Sequence, residues 1–199
     1  MKLIIMTQPT FFVEEDKILT ALFDRGMDSL HLCKSASSPI LSERLLSLIP
    51  EEYYSKITVH DHFYLKDEYK LAGIHAGDVA MPLPLGYRGR IGRTCRDLTK
   101  LKEMKRTASY VMLPGVFGAT ADEPAMPREQ IAAAAKMGLI DRKVYAFGGV
   151  NESNIREAKE LGFGAVVVRE DLWERFDIRR QNDFKDLINH FEKLRKITN

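Results

Sequence analysis

The sequence has few cysteines and no long apolar run, and these absences exclude several classes of protein. Two cysteines in 199 residues, Cys33 and Cys95, are too few for a disulfide framework and have no CxxC spacing. No segment reaches the roughly 18 apolar residues of a membrane span. The segment from Met1 to Met6 contains one lysine, Lys2, and its apolar part is too short for a signal-peptide core. We therefore expect a cytoplasmic protein with reduced cysteines and no membrane partner.

The sequence also lacks an excess of charge of either sign. Thirty Lys and Arg residues stand against 28 Asp and Glu residues, which gives a formal net charge of +2. A nucleic-acid-binding domain would need a strongly basic face, so no nucleic-acid partner is expected. Low-complexity tracts and linkers are absent as well. With 45% apolar residues, the sequence predicts one domain over residues 1–199 with a substantial core.

What the sequence does contain is a regular alternation of strand-length apolar runs and longer segments with helical spacing. The predicted strands are Leu3–Met6, Ser29–Cys33, Ile57–His60, Gly73–His75, Arg90–Gly92, Tyr110–Leu113, Lys143–Phe147 and Ala165–Val168. The main predicted helices are Glu14–Asp24, a segment including Ser42–Leu48, Phe63–Leu71, Asp97–Lys105, Arg128–Met137, one capped by Asn151 or Ser153, and Asp183–Lys196. The segment from Met81 to Gly89 is predicted to be a loop.

Eight such units predict a compact, single-domain α/β protein, a (β/α)₈ TIM barrel. Strands that alternate with helices pair in parallel through right-handed crossovers, and eight of them close a barrel. An open doubly wound sheet is the alternative. The first strand–helix turn, Thr7-Gln8-Pro9-Thr10, lacks the GxGxxG of a dinucleotide-binding open sheet, which favours the barrel.

Polar residues follow the predicted strands at their carboxyl ends, where barrels build their active sites. Strand seven ends in Gly148-Gly149, and strand eight ends in Val168-Arg169, where a short extra helix can begin. Backbone N–H groups at such glycines bind phosphate oxygens, so we predict a small phosphorylated substrate there. A tight turn is the alternative for the glycines, and a solvated surface position is the alternative for Arg169.

The other strand ends carry candidate metal ligands and acid–base groups. Asp61 could hold Mg²⁺ together with substrate phosphates, or it could cap the helix near Phe63. His31, His60 and His75 lie on adjacent strands and could bind zinc. We favour the alternative in which these histidines line a small-molecule pocket.

These strand ends resemble the thiamine phosphate synthase family and its relatives, the thiazole tautomerases. The resemblance lies in ordered motifs from Leu3 to about Trp173. Gly73-Ile74-His75-Ala76-Gly77 is similar to the family's GVHLG. Val144 to Val150 is similar to VVAIGGI, and Gly162 to Val168 is similar to GADGVAV. Ile91-Gly92-Arg93-Thr94 stands where the family has IGVS.

The resemblance implies an enzyme that joins an aminopyrimidine diphosphate to a thiazole phosphate, with Mg²⁺ stabilising the departing diphosphate. Gly148, Gly149 and the loop that begins at Val168 and Arg169 would hold the thiazole phosphate. Asp61 matches the first Mg²⁺ carboxylate, and Asp78 is the carboxylate nearest to the second position. Thr94 matches a family Ser, and His75 lies in the motif of strand four.

The same comparison shows departures from the synthase pattern. The family's Gln-x-Arg-x-Lys after strand two reads His31, Cys33 and Ser35 here, with Lys34 one place early as a substitute cation. The family's Asn before the first Mg²⁺ carboxylate is His60. A tautomerase resemblance implies a histidine base on strand six, where this chain has Gly115. His31, His60 or His75 could serve instead.

Three further alternatives stay open at this point. A thiazole tautomerase-type isomerase is the first. The second is a non-catalytic binder of a phosphorylated ligand, and the third is a metal-dependent sugar-phosphate epimerase. Barrels of this size often pair, so a homodimer is also considered.

Overall fold

In the computed structural model, eight parallel strands close a barrel in chain order, and the last strand pairs back to the first. This confirms the predicted (β/α)₈ TIM barrel. The structure describes residues 1–35, 37–121, 123–177 and 183–199. The strands are β1 Lys2–Met6, β2 Ser29–Leu32, β3 Ile57–Val59, β4 Gly73–His75, β5 Arg90–Thr94, β6 Tyr110–Leu113, β7 Val144–Phe147 and β8 Ala165–Val168.

Helices lie between the strands, as expected for parallel strands joined by crossovers. They are α1 Glu15–Asp24, α2 Pro39–Leu48, α3 Leu65–Glu68, α4 Leu101–Thr107, α5 Arg128–Lys136, α6 Ile155–Glu160, α7 Glu170–Trp173 and α8 Lys185–Thr198. Short 3₁₀ turns over Glu51–Lys56 and Leu98–Lys100 precede β3 and α4. Within the described part of the chain, none of the helices is long and apolar enough to span a bilayer.

The strands carry two apolar layers because successive side chains of a strand face opposite sides. The outer layer, between strands and helices, includes Leu30 and Leu32 of β2 and Ile74 of β4. The layer inside the barrel consists of Ile4, Met6, Tyr110, Met112, Tyr145, Phe147, Ala165 and Val167. His31 lies between two outer residues of β2, so its imidazole faces the interior, where it contacts the Tyr110 ring.

The structure differs from the predicted elements in a few places. The helix predicted from Phe63 to Leu71 is only the four-residue α3, since Lys70 adopts a left-handed conformation with φ of 53° that ends it. The predicted caps of α6 were wrong. Asn154 occupies the N-cap position, and the Asn151 side chain instead accepts the N–H of Ser153. The predicted short helix after Arg169 is confirmed as α7.

Candidate active site

A cavity of about 220 Å³ opens at the carboxyl ends of the strands, inside the mouth of the barrel. Five of the predicted site residues line it: His60, Asp61, His75, Thr94 and Arg169. The apolar part of its wall comes from Met6, Met112 and Phe147. The predicted residues therefore meet in one place, on strands that are distant in the chain.

Two of the three predicted histidines form the beginning of a hydrogen-bonded chain. His60 Nε2 lies 3.1 Å from His31 Nδ1. The other ring nitrogen of His31, Nε2, lies 3.5 Å from the Tyr110 hydroxyl. His31 and Tyr110 are fully buried, whereas His60 is partly accessible from the cavity.

The third histidine continues the chain back to the cavity. His75 Nδ1 lies 3.0 Å from the Tyr110 hydroxyl, and His75 Nε2 lies 2.8 Å from the Thr94 hydroxyl. Tyr110 therefore stands between two histidines that come from β2 and β4. We call the five residues His60, His31, Tyr110, His75 and Thr94 the polar chain.

Gly92 makes room for the centre of the polar chain. It pairs with His75 on one side and with Tyr110 on the other, in the register of β4, β5 and β6. A Cβ atom at Gly92 would lie 2.2 Å from the Tyr110 hydroxyl and 2.6 Å from His75 Nδ1. Only the absent side chain of Gly92 allows these two groups to meet across β5.

Burial keeps the titratable members of the polar chain neutral. Desolvation lowers the pKa of His60 to about 3, and the nearby Arg169 guanidinium acts in the same direction. Desolvation also lowers the pKa of His31 and of His75 well below the ordinary value. It raises the pKa of Tyr110 above the usual range of a phenol. All four groups are therefore uncharged near pH 7.

The three imidazoles also meet the distance condition for a metal site. One nitrogen of each ring lies within 4.8 Å of the others, and no second group of three or more potential ligands occurs in the described ranges. Imidazole triads of this kind bind zinc and related ions. However, both nitrogens of His31 and His75 already have hydrogen-bond partners within the polar chain. The cluster is therefore satisfied without an ion.

Arg169 supplies a positive charge at the cavity wall. Its side chain is 9% exposed, and its guanidinium lies 5.1 Å from the centre of the Phe147 ring. Glu170 accepts hydrogen bonds from Nε at 2.7 Å and pairs with Nη2 at 2.6 Å. An arginine held in place by a ring and a carboxylate is well suited to bind an anion.

Gly148 and Gly149 hold two loops together at the end of β7. Their φ angles of 91° and 66° lie in the left-handed region that favours glycine. Added Cβ atoms would come within 2.6 Å of the backbone nitrogens of Gly115 and Gly118, respectively. The Val168 side chain packs in the outer layer. A role of these residues toward phosphate stays a prediction.

Lys34 lies outside the cavity lining and forms a buried ion pair. Its ammonium donates to both Glu15 oxygens, at 2.7 and 2.9 Å, and to the Thr10 carbonyl at 2.8 Å. Both partners are only 1% exposed. The ammonium also lies 4.4 Å from the centre of the Phe11 ring. These contacts tie the loop after β1 to the loop after β2.

The two predicted magnesium carboxylates differ in their surroundings. Asp61 lines the cavity, and one of its oxygens accepts the Lys34 backbone N–H at 2.8 Å. Asp78 is 64% exposed, accepts the Ala80 N–H and lies 3.7 Å from the Arg96 guanidinium. Asp78 is not part of the cavity wall. Of the predicted pair, only Asp61 therefore lines the cavity, and a magnesium-binding role of either carboxylate stays a prediction.

Sequence reasoning did not find Tyr110, Gly92 or the pair Arg96–Glu123 as site residues. Arg96 and Glu123 line the cavity and are hydrogen-bonded through Arg96 Nε at 2.7 Å. The alternation of inward and outward side chains along β5 and β6 could have pointed to the first two, because it places Tyr110 and Gly92 on the inner face of the barrel. No local sequence pattern predicts the contact between Arg96 and Glu123, because these residues lie 27 positions apart in the chain.

The fold and the cavity define a small (β/α)₈ barrel with a partly polar cavity at the carboxyl ends of its strands. A family model described as thiamine monophosphate synthase matches residues 14–172. The chain belongs to this thiamine monophosphate synthase family, as the strand-end motifs indicate. No curated protein matches the chain significantly.

Solved structures share this fold, and one of them, at 44% identity, also supports the family assignment. A thiamine phosphate pyrophosphorylase from Bacteroides thetaiotaomicron is 44% identical, with a TM-score of 0.91 over 99% of this chain and 97% of that chain. A thiamine phosphate pyrophosphorylase from Pyrococcus furiosus is 22% identical, with a TM-score of 0.74 over 99% and 95% of the two chains. At 14% identity and a TM-score of 0.66, a 3-hexulose-6-phosphate synthase that covers 100% of both chains shares the fold alone.

Proposed function

We propose that this member of the family catalyses a proton-transfer isomerisation of a phosphorylated thiazole. The observation that carries the proposal is the neutral imidazole of His60, which lines the cavity together with the buried cation Arg169. An isomerase needs a group that removes a proton and a group that returns it. The neutral His60 ring has a free electron pair that can accept a proton, and a bound anion that offsets the Arg169 charge would raise its pKa toward the range of a general base.

The phosphate and any carboxylate of the substrate would be bound by Arg169 at the end of β8. Its guanidinium is held by Phe147 and Glu170 and needs little reorganisation to meet an anion. The loops that contain Gly148, Gly149 and the backbone after Val168 lie at the same end of the barrel and would supply N–H donors. An anion beside Arg169 would also offset the charge that lowers the pKa of His60.

Thr94 and His75 would contact the substrate on the opposite side of the cavity from β8. Both line the cavity and are hydrogen-bonded to each other at 2.8 Å. A hydroxyl that accepts from an imidazole can donate its own proton to the substrate. The cavity thus offers a proton acceptor and a proton donor to one small molecule.

The second candidate is the coupling of an aminopyrimidine diphosphate to a thiazole phosphate. The 44% identical protein from Bacteroides thetaiotaomicron, a thiamine phosphate pyrophosphorylase, favours it. Coupling would use Mg²⁺ to neutralise the diphosphate, and Asp61 would be its protein ligand in the cavity. The burial of Lys34 and the exposure of Asp78 are the reasons why we rank coupling second.

Two assays separate these reactions. In the first, the non-aromatic carboxylate tautomer of thiazole phosphate is converted to its aromatic form, followed by ultraviolet absorption. In the second, thiazole phosphate, the pyrimidine diphosphate and Mg²⁺ are tested for release of diphosphate. Turnover in the first assay alone supports isomerisation, and turnover in the second alone overturns it. Saturable binding without turnover would identify a binder, and turnover of a pentulose phosphate would identify an epimerase.

The quaternary structure and location are part of the same proposal. Val13, Leu41 and Leu48, which are 72%, 41% and 54% exposed, line one groove beside α1 and α2. Such a surface favours a homodimer. Light scattering of the wild type and of a Leu48→Lys variant tests this, because only the wild type should show the mass of a dimer. We also propose a cytoplasmic location, which fractionation of the native host tests.

A further inference from the structure

We propose that Tyr110 joins His31 and His75 into a proton relay whose two ends, His60 and Thr94, open on the same cavity. The proposal rests on the proposed function, in which one position of the substrate loses a proton and another gains one. It assigns a catalytic contribution to two groups, Tyr110 and His31, that no substrate can touch because they are fully buried.

The polar chain has two complete hydrogen-bond arrangements. In the first, His60 Nε2–H donates to His31, and His31 Nε2–H donates to the Tyr110 hydroxyl. That hydroxyl donates to His75 Nδ1, and His75 Nε2–H donates to Thr94. In the second arrangement, every one of these four bonds is reversed. Each imidazole then holds its proton on the other nitrogen, and all members remain neutral.

The entry of one proton at His60 and the release of another at Thr94 convert the first arrangement into the second. The substrate C–H bond breaks, its electron pair stays on the substrate, and the proton binds to Nδ1 of His60. Protons then move from His60 to His31, from His31 to Tyr110, from Tyr110 to His75 and from His75 to Thr94. The hydroxyl proton of Thr94 passes to a second atom of the substrate. The protein gains no net proton and no charge.

His60 is suited to transfer rather than to storage of the proton, because its Nε2 is hydrogen-bonded to His31. Its conjugate acid would be a buried cation beside Arg169, so a proton accepted at one nitrogen is released from the other. The longest link, 3.5 Å between His31 and Tyr110, is of the kind that commonly shortens when substrate is bound.

Gly92 is an independent observation in favour of the relay. Any other residue there would place a Cβ atom 2.2 Å from the Tyr110 hydroxyl and separate it from His75. β4 thus provides the His75 imidazole and β6 provides the Tyr110 phenol. β5, which lies between them, leaves the space in which these two groups form a hydrogen bond.

The test compares Tyr110→Phe with the matched control Tyr145→Phe. The Tyr145 ring stacks on the Tyr110 ring at 4.5 Å, but its hydroxyl bonds to Arg90, outside the polar chain. Both variants keep the aromatic volume, and circular dichroism confirms their folding. We expect Tyr110→Phe to lower kcat for isomerisation about 10-fold or more, with KM within about two-fold of the wild type. It should also reduce a multi-proton solvent isotope effect to that of a single proton. Thr94→Val should reproduce the loss of kcat.

A second measurement needs no activity. Nitrogen-15 spectra of the histidine rings report their tautomers. Tyr110→Phe should shift the ring nitrogens of both His31 and His75, whereas Tyr145→Phe should shift neither. Unchanged ring nitrogens in Tyr110→Phe, equal effects of the two Tyr variants on kcat, or a change of KM alone would overturn the relay. One equivalent of a transition metal in the purified wild type would also overturn it. If the wild type isomerises nothing, the proposed function fails, while the spectra still decide whether the polar chain is coupled.

Discussion

His75 Nδ1 lies 3.0 Å from the hydroxyl of Tyr110, although a whole strand, β5, separates the strands that carry them. Neighbouring strands are roughly 4.8 Å apart, so β4 and β6 are about twice that distance from each other. The contact exists because Gly92 occupies the inner face of β5 at the same level. A residue without a side chain therefore determines a polar contact that neither partner could make by itself.

The first prediction concerns the space that Gly92 leaves between His75 and Tyr110. Gly92→Ala should destabilise the protein by about 1–3 kcal/mol, because the new methyl group overlaps the Tyr110 hydroxyl. The backbone of β5 cannot shift to relieve this overlap, since β5 is hydrogen-bonded to β4 on one side and to β6 on the other. Urea denaturation measures the change. Gly118→Ala is the matched control, since its Cβ would lie 3.4 Å from the nearest atom, an ordinary contact. Equal stability of Gly92→Ala and the wild type would show that the barrel interior has more room than the structure indicates.

The second prediction is a loss of stability in mild acid. His31, His60 and His75 have lower pKa values in the folded chain than the ordinary value of 6.5. The unfolded chain therefore binds more protons as the pH falls from about 6.5 toward the folded pKa of about 3 for His60. The stabilisation is complete above pH 6.5. Below it, the free energy of unfolding should fall by up to about 1.4 kcal/mol per pH unit for each histidine.

Urea denaturation at pH 7.5, 6.5, 6.0 and 5.5 measures this slope. His62 lies outside the polar chain and contacts the Ser37 carbonyl, so His62→Gln provides the control. It should retain the steep pH dependence of the wild type. A wild-type stability that is constant from pH 7.5 to 5.5 would mean that the cluster is hydrated or charged in the folded protein.

The barrel itself could be predicted from the sequence because its signals are local. The run Ala165-Val166-Val167-Val168 is β-branched and apolar, as a strand buried on both faces requires, and its predicted bounds agree with β8. Gly138 follows α5 in a left-handed conformation, as a residue that ends a helix commonly does. The short α3 was harder to predict because the backbone at Lys70, not the apolar spacing, ends it.

The site was only partly predictable because its contacts depend on register and on distant partners. The rule that polar residues gather at strand ends grouped His60, Asp61, His75, Thr94 and Arg169, and these side chains do line one cavity, while their roles stay a prediction. The same rule could not show that Lys34 pairs with Glu15, which lies 19 residues earlier on another unit of the barrel. Nor could it show the contact across Gly92, which requires the register of three strands.

The third prediction concerns the buried ion pair. Lys34→Met should lower stability by about 3–5 kcal/mol, because it leaves the Glu15 carboxylate buried without its partner. For a chain of this length, that corresponds to a decrease in Tm of roughly 6 to 20 °C. The double variant Glu15→Met/Lys34→Met should recover most of the loss, since no unpaired charge remains. The exposed pair Lys17–Glu14 provides the control, and Lys17→Met should leave Tm nearly unchanged.

The fourth prediction tests the anion site. Arg169→Met should weaken the binding of thiazole phosphate by roughly 10- to 150-fold, because a hydrogen bond to a charged group contributes about 1.5–3 kcal/mol. Isothermal titration calorimetry measures the affinity, with Arg175→Met as the control, since Arg175 is 46% exposed and bonds to Asp171 on the outer surface.

Removal of the Arg169 guanidinium also removes one of the two causes that lower the pKa of His60. A titration of the His60 ring by NMR should therefore show a higher pKa in Arg169→Met than in the wild type. If affinity falls equally in both variants, the loss reflects the lower net positive charge of the protein rather than a direct contact with Arg169. If affinity falls only in Arg169→Met and the His60 pKa rises, the substrate anion and the proton acceptor share one cavity, which is the arrangement that an isomerase of a phosphorylated thiazole requires.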